Sequence, residues 1–312
     1  MAKKTLLTLT KGHPGQFEAL EGAFNIIKLY NERDPEAIIR DHANDAQVLC
    51  STLEPVSGKL IEALPNLEII GVGAVGYDHI DMETAQKRGI VVTNTPDVLV
   101  NETADLGMSL MLALSRRIVE GDAFVRAGLW RNQTFPLATS LEGKTLGIVG
   151  LGGIGRAVAK RSEAFGMDIA YFGPNKKDVP YEYFGSLDAL AAKSDFMMLT
   201  CPGGEATKHI IDYNVLGHLG KSGYLINIAR GSVVNQGDLL VALKNKTIAG
   251  AALDVYDDEP NVPESLFVMD NVVLTPHIGS ATRETRKRMG ALVAANIKAH
   301  FEGKELLTPV KV

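Results

Sequence analysis

The sequence predicts an α/β protein of two doubly wound parallel-sheet domains, and three observations predict it. Short β-branched runs alternate with helical patterns along the 312 residues, as βαβ units around a parallel sheet require. These runs fall into two series, one on each side of a long apolar helical segment. One run, at 145–149, opens directly into a glycine-rich turn and then a helical pattern.

In the first series, runs at 5–10, 25–29, 47–50, 67–72 and 90–93 read as strands, with helical patterns at 58–64 and 82–88. Residues 102–127 carry Leu106, Met108, Leu110, Met111, Leu112, Leu114, Ile118 and Phe124 and read as one long helix, buried over much of its circumference. The second series runs through 145–149, 168–172, 196–200, 224–228, 249–253 and 272–274. A last pattern over 284–301 puts Met289, Leu292, Val293, Ile297 and Phe301 at helical spacing. Its expected place is against the first sheet, which makes that domain discontinuous: 1–101 with 285–312, and 102–284 between them.

Composition narrows the function. A net charge of −5 disfavours nucleic acid as a partner, because that binding needs clustered positive charge to release counterions. Anionic small molecules must therefore be caught locally. Cys50 and Cys201 lie far apart without metal-ligand spacing, so no metal site and no disulfide framework is expected. The N-terminal segment is too interrupted for a signal-peptide core, and no apolar run approaches the roughly 20 residues of a membrane span. A cytoplasmic protein without membrane attachment is expected.

The turn after 145–149 reads Gly150-Leu-Gly152-Gly153-Ile154-Gly155. Gly150 permits the tight turn, Gly152 admits a pyrophosphate close to the backbone, and Gly155 lets helix and strand pack. The helix N-terminus behind them supplies unpaired N–H donors. Between a strand and a helix, this pattern points to a dinucleotide. At the end of the next strand, an NAD-selective site carries an acid for the ribose 2′-hydroxyl. Phe172 stands there instead, followed by Asn175, Lys176 and Lys177. Nothing at that position repels a 2′-phosphate and two cations are available to it, so NADP(H) is favoured, with NAD(H) possible. The plain alternative is that the lysines are solvated loop charges.

Three more motifs lie just past predicted strands: Ile228-Ala-Arg230-Gly231, Leu253-Asp254 leading to Glu259-Pro260, and Thr275-Pro276-His277-Ile-Gly-Ser280. Ligands of open α/β sheets bind at the carboxyl ends of strands. With the glycine turn, these motifs resemble the D-isomer-specific 2-hydroxyacid dehydrogenase family, in order and over essentially the whole chain. The resemblance implies a Rossmann nucleotide domain and a flavodoxin-like substrate domain, with closure about a hinge segment at Asn94–Pro96 and the long helix starting at Asn101.

It also implies roles. Arg230 resembles the arginine that holds the substrate carboxylate and carbonyl, His277 the proton donor and acceptor, and Glu259 its paired acid. The chemistry suits them: a carbonyl that receives hydride needs an acid nearby, and an arginine fork meets a planar carboxylate with two hydrogen bonds. Val75 and Gly76 resemble the loop whose N–H groups receive the carboxylate. Thr103 and Asp254 resemble residues beside the nicotinamide, and Cys201, Pro202 and Thr207 the loop along the ribose and phosphates. His13, His42, His79, His209, His218 and His300 have no supporting motif and are read as surface or packing residues.

The expected activity is reduction of a small 2-oxo acid by NAD(P)H, most nearly NADPH-dependent reduction of glyoxylate or hydroxypyruvate, by a homodimer. A bulkier 2-oxo acid or 3-phosphoglycerate as substrate stays open, as does a nucleotide-sensing binding protein similar to the corepressors of this family.

Overall fold

The computed structural model describes residues 3–311; residues 1, 2 and 312, which the expected first domain includes, lie outside the described residues. The chain divides into two compact units, Met1–Leu99 with Ser280–Val312, and Val100–Gly279.

The first unit begins with β1 (Lys4–Thr8), β2 (Phe24–Lys28), α1 (Pro35–Asp41), β3 (Ala46–Ser51), α2 (Gly58–Glu62), β4 (Ile69–Val72), α3 (Met82–Lys87) and β5 (Val91–Thr93). Its helices start where the sequence supplies a cap: Asp34, Ser57 and Asp81 each accept a hydrogen bond from an N–H three residues on. The five strands are all parallel in the order β2-β1-β3-β4-β5. Counted along the chain this is 2-1-3-4-5, the flavodoxin-like order, with its switch point between β1 and β3.

The second unit contains α4 (Val100–Ser115), α5 (Ile118–Arg126), β6 (Thr145–Val149), α6 (Gly153–Glu163), β7 (Asp168–Phe172), β8 (Glu182–Phe184), α7 (Leu187–Lys193), β9 (Phe196–Leu199), α8 (Tyr213–Leu219), β10 (Tyr224–Asn227), α9 (Gln236–Lys244), β11 (Gly250–Leu253), α10 (Glu264–Phe267) and β12 (Val272–Leu274). Its seven strands are parallel in the order β8-β7-β6-β9-β10-β11-β12. This is the Rossmann order with one added strand, and the chain reverses direction across the sheet between β6 and β9. The central strands are buried on both faces, and β6 and β9 expose no side chain to solvent.

The chain then re-enters the first unit as α11 (Arg283–Phe301), capped by Thr282. Val293, Ala294 and Ile297 pack into one core with Leu6, Val48, Cys50 and Ile69. Gly71 of β4 makes room for this: a Cβ there would lie 3.2 Å from Val293 and 3.3 Å from Ile297.

Two local expectations need correction. The helix expected over 102–127 is two helices, α4 and α5, separated where Arg117 adopts a left-handed φ of 53°. Its guanidinium turns to Glu120 at 3.2 Å and lies over the Phe135 ring, so the apolar periodicity continues through a backbone that does not. Half of α4 is buried, including Met108, Leu110, Met111 and Leu114, whereas α5 buries none of its side chains. The short edge strand β8, paired to β7, was not foreseen.

Candidate active site

The glycine turn sits at the switch point of the second sheet. Gly150 has φ of +96°, and a Cβ on it would strike the Cys201 backbone at 2.7 Å, so this turn and the loop after β9 are in close contact. Thr200, which the sequence reading missed, fastens the pair by donating its hydroxyl to Gly150 O at 2.6 Å. Gly155 faces Gly150 O so closely that any side chain would collide with it. Gly152, by contrast, has open space where a side chain would go, and α6 begins at Gly153 with Ile154 and Gly155 in its first turn. A backbone open at Gly152, beneath a helix N-terminus, fits a dinucleotide pyrophosphate.

At the end of β7, Phe172 is half-buried and Asn175, Lys176 and Lys177 are exposed. Two tyrosines shape this loop: Lys177 N donates to Tyr171 Oη at 2.7 Å, and Tyr183 Oη donates to Gly173 O. Beyond β9, Cys201 is buried and Pro202 exposed, and Thr207 closes the loop by donating to Pro202 O at 2.7 Å.

Arg230, Glu259 and His277 come together beyond the ends of β10, β11 and β12. Gly231 holds the first two loops against each other, since a Cβ there would fall 1.9 Å from the Tyr256 carbonyl carbon. Glu259 accepts from Tyr256 N at 3.0 Å and pairs with His277 Nδ1 at 2.6 Å. Burial works to raise the Glu259 pKa, but the hydrogen bond and charge of His277, the Tyr256 N–H and the charge of Arg230 outweigh it and leave the carboxyl below its ordinary value.

Asp254 builds the turn that presents His277. One carboxylate oxygen accepts from Thr275 Oγ1 at 2.6 Å and Ile278 N at 2.8 Å, and the other from Gly279 N at 2.9 Å. His277 N donates to Asp254 O, and His277 takes a positive φ of 52°. Burial raises the Asp254 pKa in spite of these donors. Thr103 of α4 lies beside Gly279, close to the same carboxylate.

In the first unit, Val75 and Gly76 are half-buried in the loop after β4. Among the described residues their N–H groups have no hydrogen-bond acceptor. The loop is tied down by Asn94 Nδ2 donating to Val75 O, Thr95 N to Ala74 O, and His13 Nε2 to Gly73 O at 2.6 Å. Only the position of His13 in the fold reveals this contact. Among the described residues, no group of three or more His, Cys, Asp or Glu side chains is placed to hold a metal ion.

A family model described as "D-isomer specific 2-hydroxyacid dehydrogenase, NAD binding domain" matches residues 108–279. The chain belongs to the D-isomer specific 2-hydroxyacid dehydrogenase family. The dehydrogenase is 46% identical over 293 residues to a glyoxylate/hydroxypyruvate reductase of Arabidopsis thaliana, covering 93% of this chain and 94% of that one. It is 50% identical over 253 residues to the hydroxyphenylpyruvate reductase of Plectranthus scutellarioides, covering 81% of each. Among solved structures, an NADPH-dependent glyoxylate/hydroxypyruvate reductase of Sinorhizobium meliloti, in complex with NADP and malonate, matches with a TM-score of 0.92 at 39% identity. That match covers 99% of the dehydrogenase and 97% of its relative. Its activity is that of an NAD(P)-dependent oxidoreductase of 2-hydroxy acids, as the motifs at Gly150, Arg230, Glu259 and His277 led us to expect.

Proposed function

We propose that this enzyme reduces glyoxylate or hydroxypyruvate with NADPH, using Arg230, Glu259 and His277. The observation that carries the reading is the 2.6 Å contact between Glu259 and His277 Nδ1, with the Arg230 charge beside them. In support, a relative with these substrates in its name is 46% identical across nearly the whole chain.

The residues divide the work as follows. Glu259 holds Nδ1–H, which leaves Nε2–H to deliver a proton to the carbonyl oxygen as it becomes an alkoxide. Arg230 orients the substrate by its carboxylate, and the free N–H groups of Val75 and Gly76 receive carboxylate oxygens. The bound nicotinamide supplies or accepts the hydride. Gly150, Gly152, Gly153, Ile154 and Gly155 would hold its pyrophosphate, and Cys201, Pro202 and Thr207 would line the ribose and phosphates. Thr103 would lie on the nicotinamide side. Asp254 would face the nicotinamide amide while keeping its hydrogen bonds to the His277 turn. Asn175 and Lys176, beyond Phe172, would meet a 2′-phosphate.

We read the enzyme as a cytoplasmic homodimer. Among the described residues no helix is long and apolar enough to cross a membrane, and both cysteines are free. Ile118, Val119 and Val125 of α5 and Leu129, Trp130 and Leu137 after it are exposed, a set of apolar side chains that a second copy would cover. Steady-state rates with glyoxylate, hydroxypyruvate and phenylpyruvate, each with NADPH and NADH, test the proposal. Preference for phenylpyruvate, or no turnover of any of them, overturns it.

A further inference from the structure

A second cation of the first unit lies near His13, the residue bonded to Gly73 O in the loop after β4, where no sequence motif pointed. The first sheet has its own switch point between β1 and β3, and the loops there and after β4 carry Thr10, His13, Thr52 and Gly73. They converge: a Cβ on Gly73 would meet His13 Nε2 at 2.9 Å and Thr52 Oγ1 at 3.1 Å, and Thr52 Oγ1 bonds Thr10 Oγ1. His13 is buried, and since a carbonyl only accepts, its Nε2 donates to Gly73 O. Burial, the largest influence, lowers the His13 pKa, so the ring is neutral at pH 7.

The first turns of α11 press against this cluster. A Cβ on Gly290 would strike Pro14 O at 2.7 Å and His13 Cβ at 3.1 Å. Arg286 is one turn earlier on the same helix face, close enough to His13 for its charge to act on the ring. Its guanidinium is half-buried and, among the described residues, has neither an ion-pair nor a hydrogen-bond partner.

Two other half-buried arginines are satisfied: Arg88 donates to three carbonyls, and Arg161 of the second unit pairs with Asp105 at 2.6 Å. The acid on the neighbouring loop, Glu54, is engaged by the N–H groups of Thr52 and Leu53. A partly desolvated guanidinium with five donors and no acceptor is costly to the protein alone and favourable once an anion arrives. In a chain of net charge −5, it is a local catch for one.

We propose that Arg286 forms, beside His13, a second oxygen-recognition position in the first unit, selecting 2-oxo acids with a hydroxyl or second carboxylate beyond the carbonyl carbon. This deepens the functional reading above and rests on the carboxylate binding at Val75 and Gly76. Glyoxylate has nothing to offer such a position. Hydroxypyruvate has its 3-hydroxyl, and a dicarboxylate has a full charge.

The test compares Arg286→Gln and Arg286→Lys with the unmodified enzyme in two measurements. In turnover with NADPH, Arg286→Gln is expected to lower efficiency on hydroxypyruvate about tenfold more than on glyoxylate, mainly through KM, as loss of a charged hydrogen bond implies. Arg286→Lys keeps part of the preference. In calorimetry on the NADP-loaded enzyme, malonate binding should weaken about tenfold or more in Arg286→Gln. Equal loss on both acids, or malonate binding that does not change, overturns the proposal. If the unmodified enzyme reduces neither acid, the functional reading falls, and the malonate titration still decides this one.

Discussion

Glu259 Oε2 stands 2.6 Å from Nδ1 of His277, which assigns the two ring nitrogens different work. The Nδ1 side is committed to the carboxylate, so any proton exchanged with a substrate passes through Nε2.

Replacing His277 with Asn should therefore lower turnover by about 10²–10⁴-fold, the usual worth of a general acid. Cofactor affinity, measured by fluorescence titration, should stay nearly unchanged. Near-normal turnover would remove His277 from the chemistry.

Changing Glu259 to Gln should move the descending limb of the reduction pH profile to lower pH. Glu259 is held below its ordinary pKa by its contact with His277, and Gln keeps the size of that side chain while removing the charge it places 2.6 Å from Nδ1. An unmoved limb, with chemistry rate-limiting, would reduce Glu259 to a loop acid.

Cofactor choice should be concentrated at the end of β7. Phe172→Asp is expected to weaken NADPH use and improve NADH use, because a carboxylate there repels a 2′-phosphate and bonds a 2′-hydroxyl. Lys176 is exposed, so Lys176→Ala should alter the preference by about tenfold or less. Better efficiency with NADH in the unmodified enzyme would refute this loop reading alone.

Sedimentation at micromolar concentration should show a dimer, and Ile118→Asp combined with Val125→Asp should shift it toward monomer. Both side chains are more than half exposed and lie away from the buried face of α4, so the double variant should remain folded. A monomeric unmodified protein would contradict the assembly.

Burial pushes the Cys50 thiol up to about 12 and Cys201 up to about 11. Neither is a thiolate at pH 8, so iodoacetamide should label the native enzyme slowly and the denatured enzyme rapidly. Fast native labelling of Cys201 would mean that its loop opens.

The strands of both sheets, β8 apart, were legible because their runs are short, apolar and bounded by turns, and the observed ends differ from the expected ones by no more than two residues. The residues Arg230, Glu259 and His277 were legible as motifs at strand ends. The break at Arg117 was not, since a left-handed arginine has no sequence signal comparable to glycine. The edge strand β8 is too short for its alternation to register. His13 and Arg286 are ordinary residues in the sequence. One matters through a contact made 60 residues away, the other through the absence of any acceptor around it among the described residues, and neither leaves a local trace.

The packing of α11 beneath β4 also orders events on the ribosome. Every strand of the first sheet has been synthesised by Thr93, yet the helix that covers Leu6, Val48, Cys50 and Ile69 is translated only after the whole of the unit at 100–279. The unit at 100–279, contiguous in sequence, can complete its core before then. At the usual pace of synthesis, the wait is on the order of ten seconds or more. During that interval the first sheet lacks the helix that covers one of its apolar faces, so the core of the first unit closes only when α11 is made.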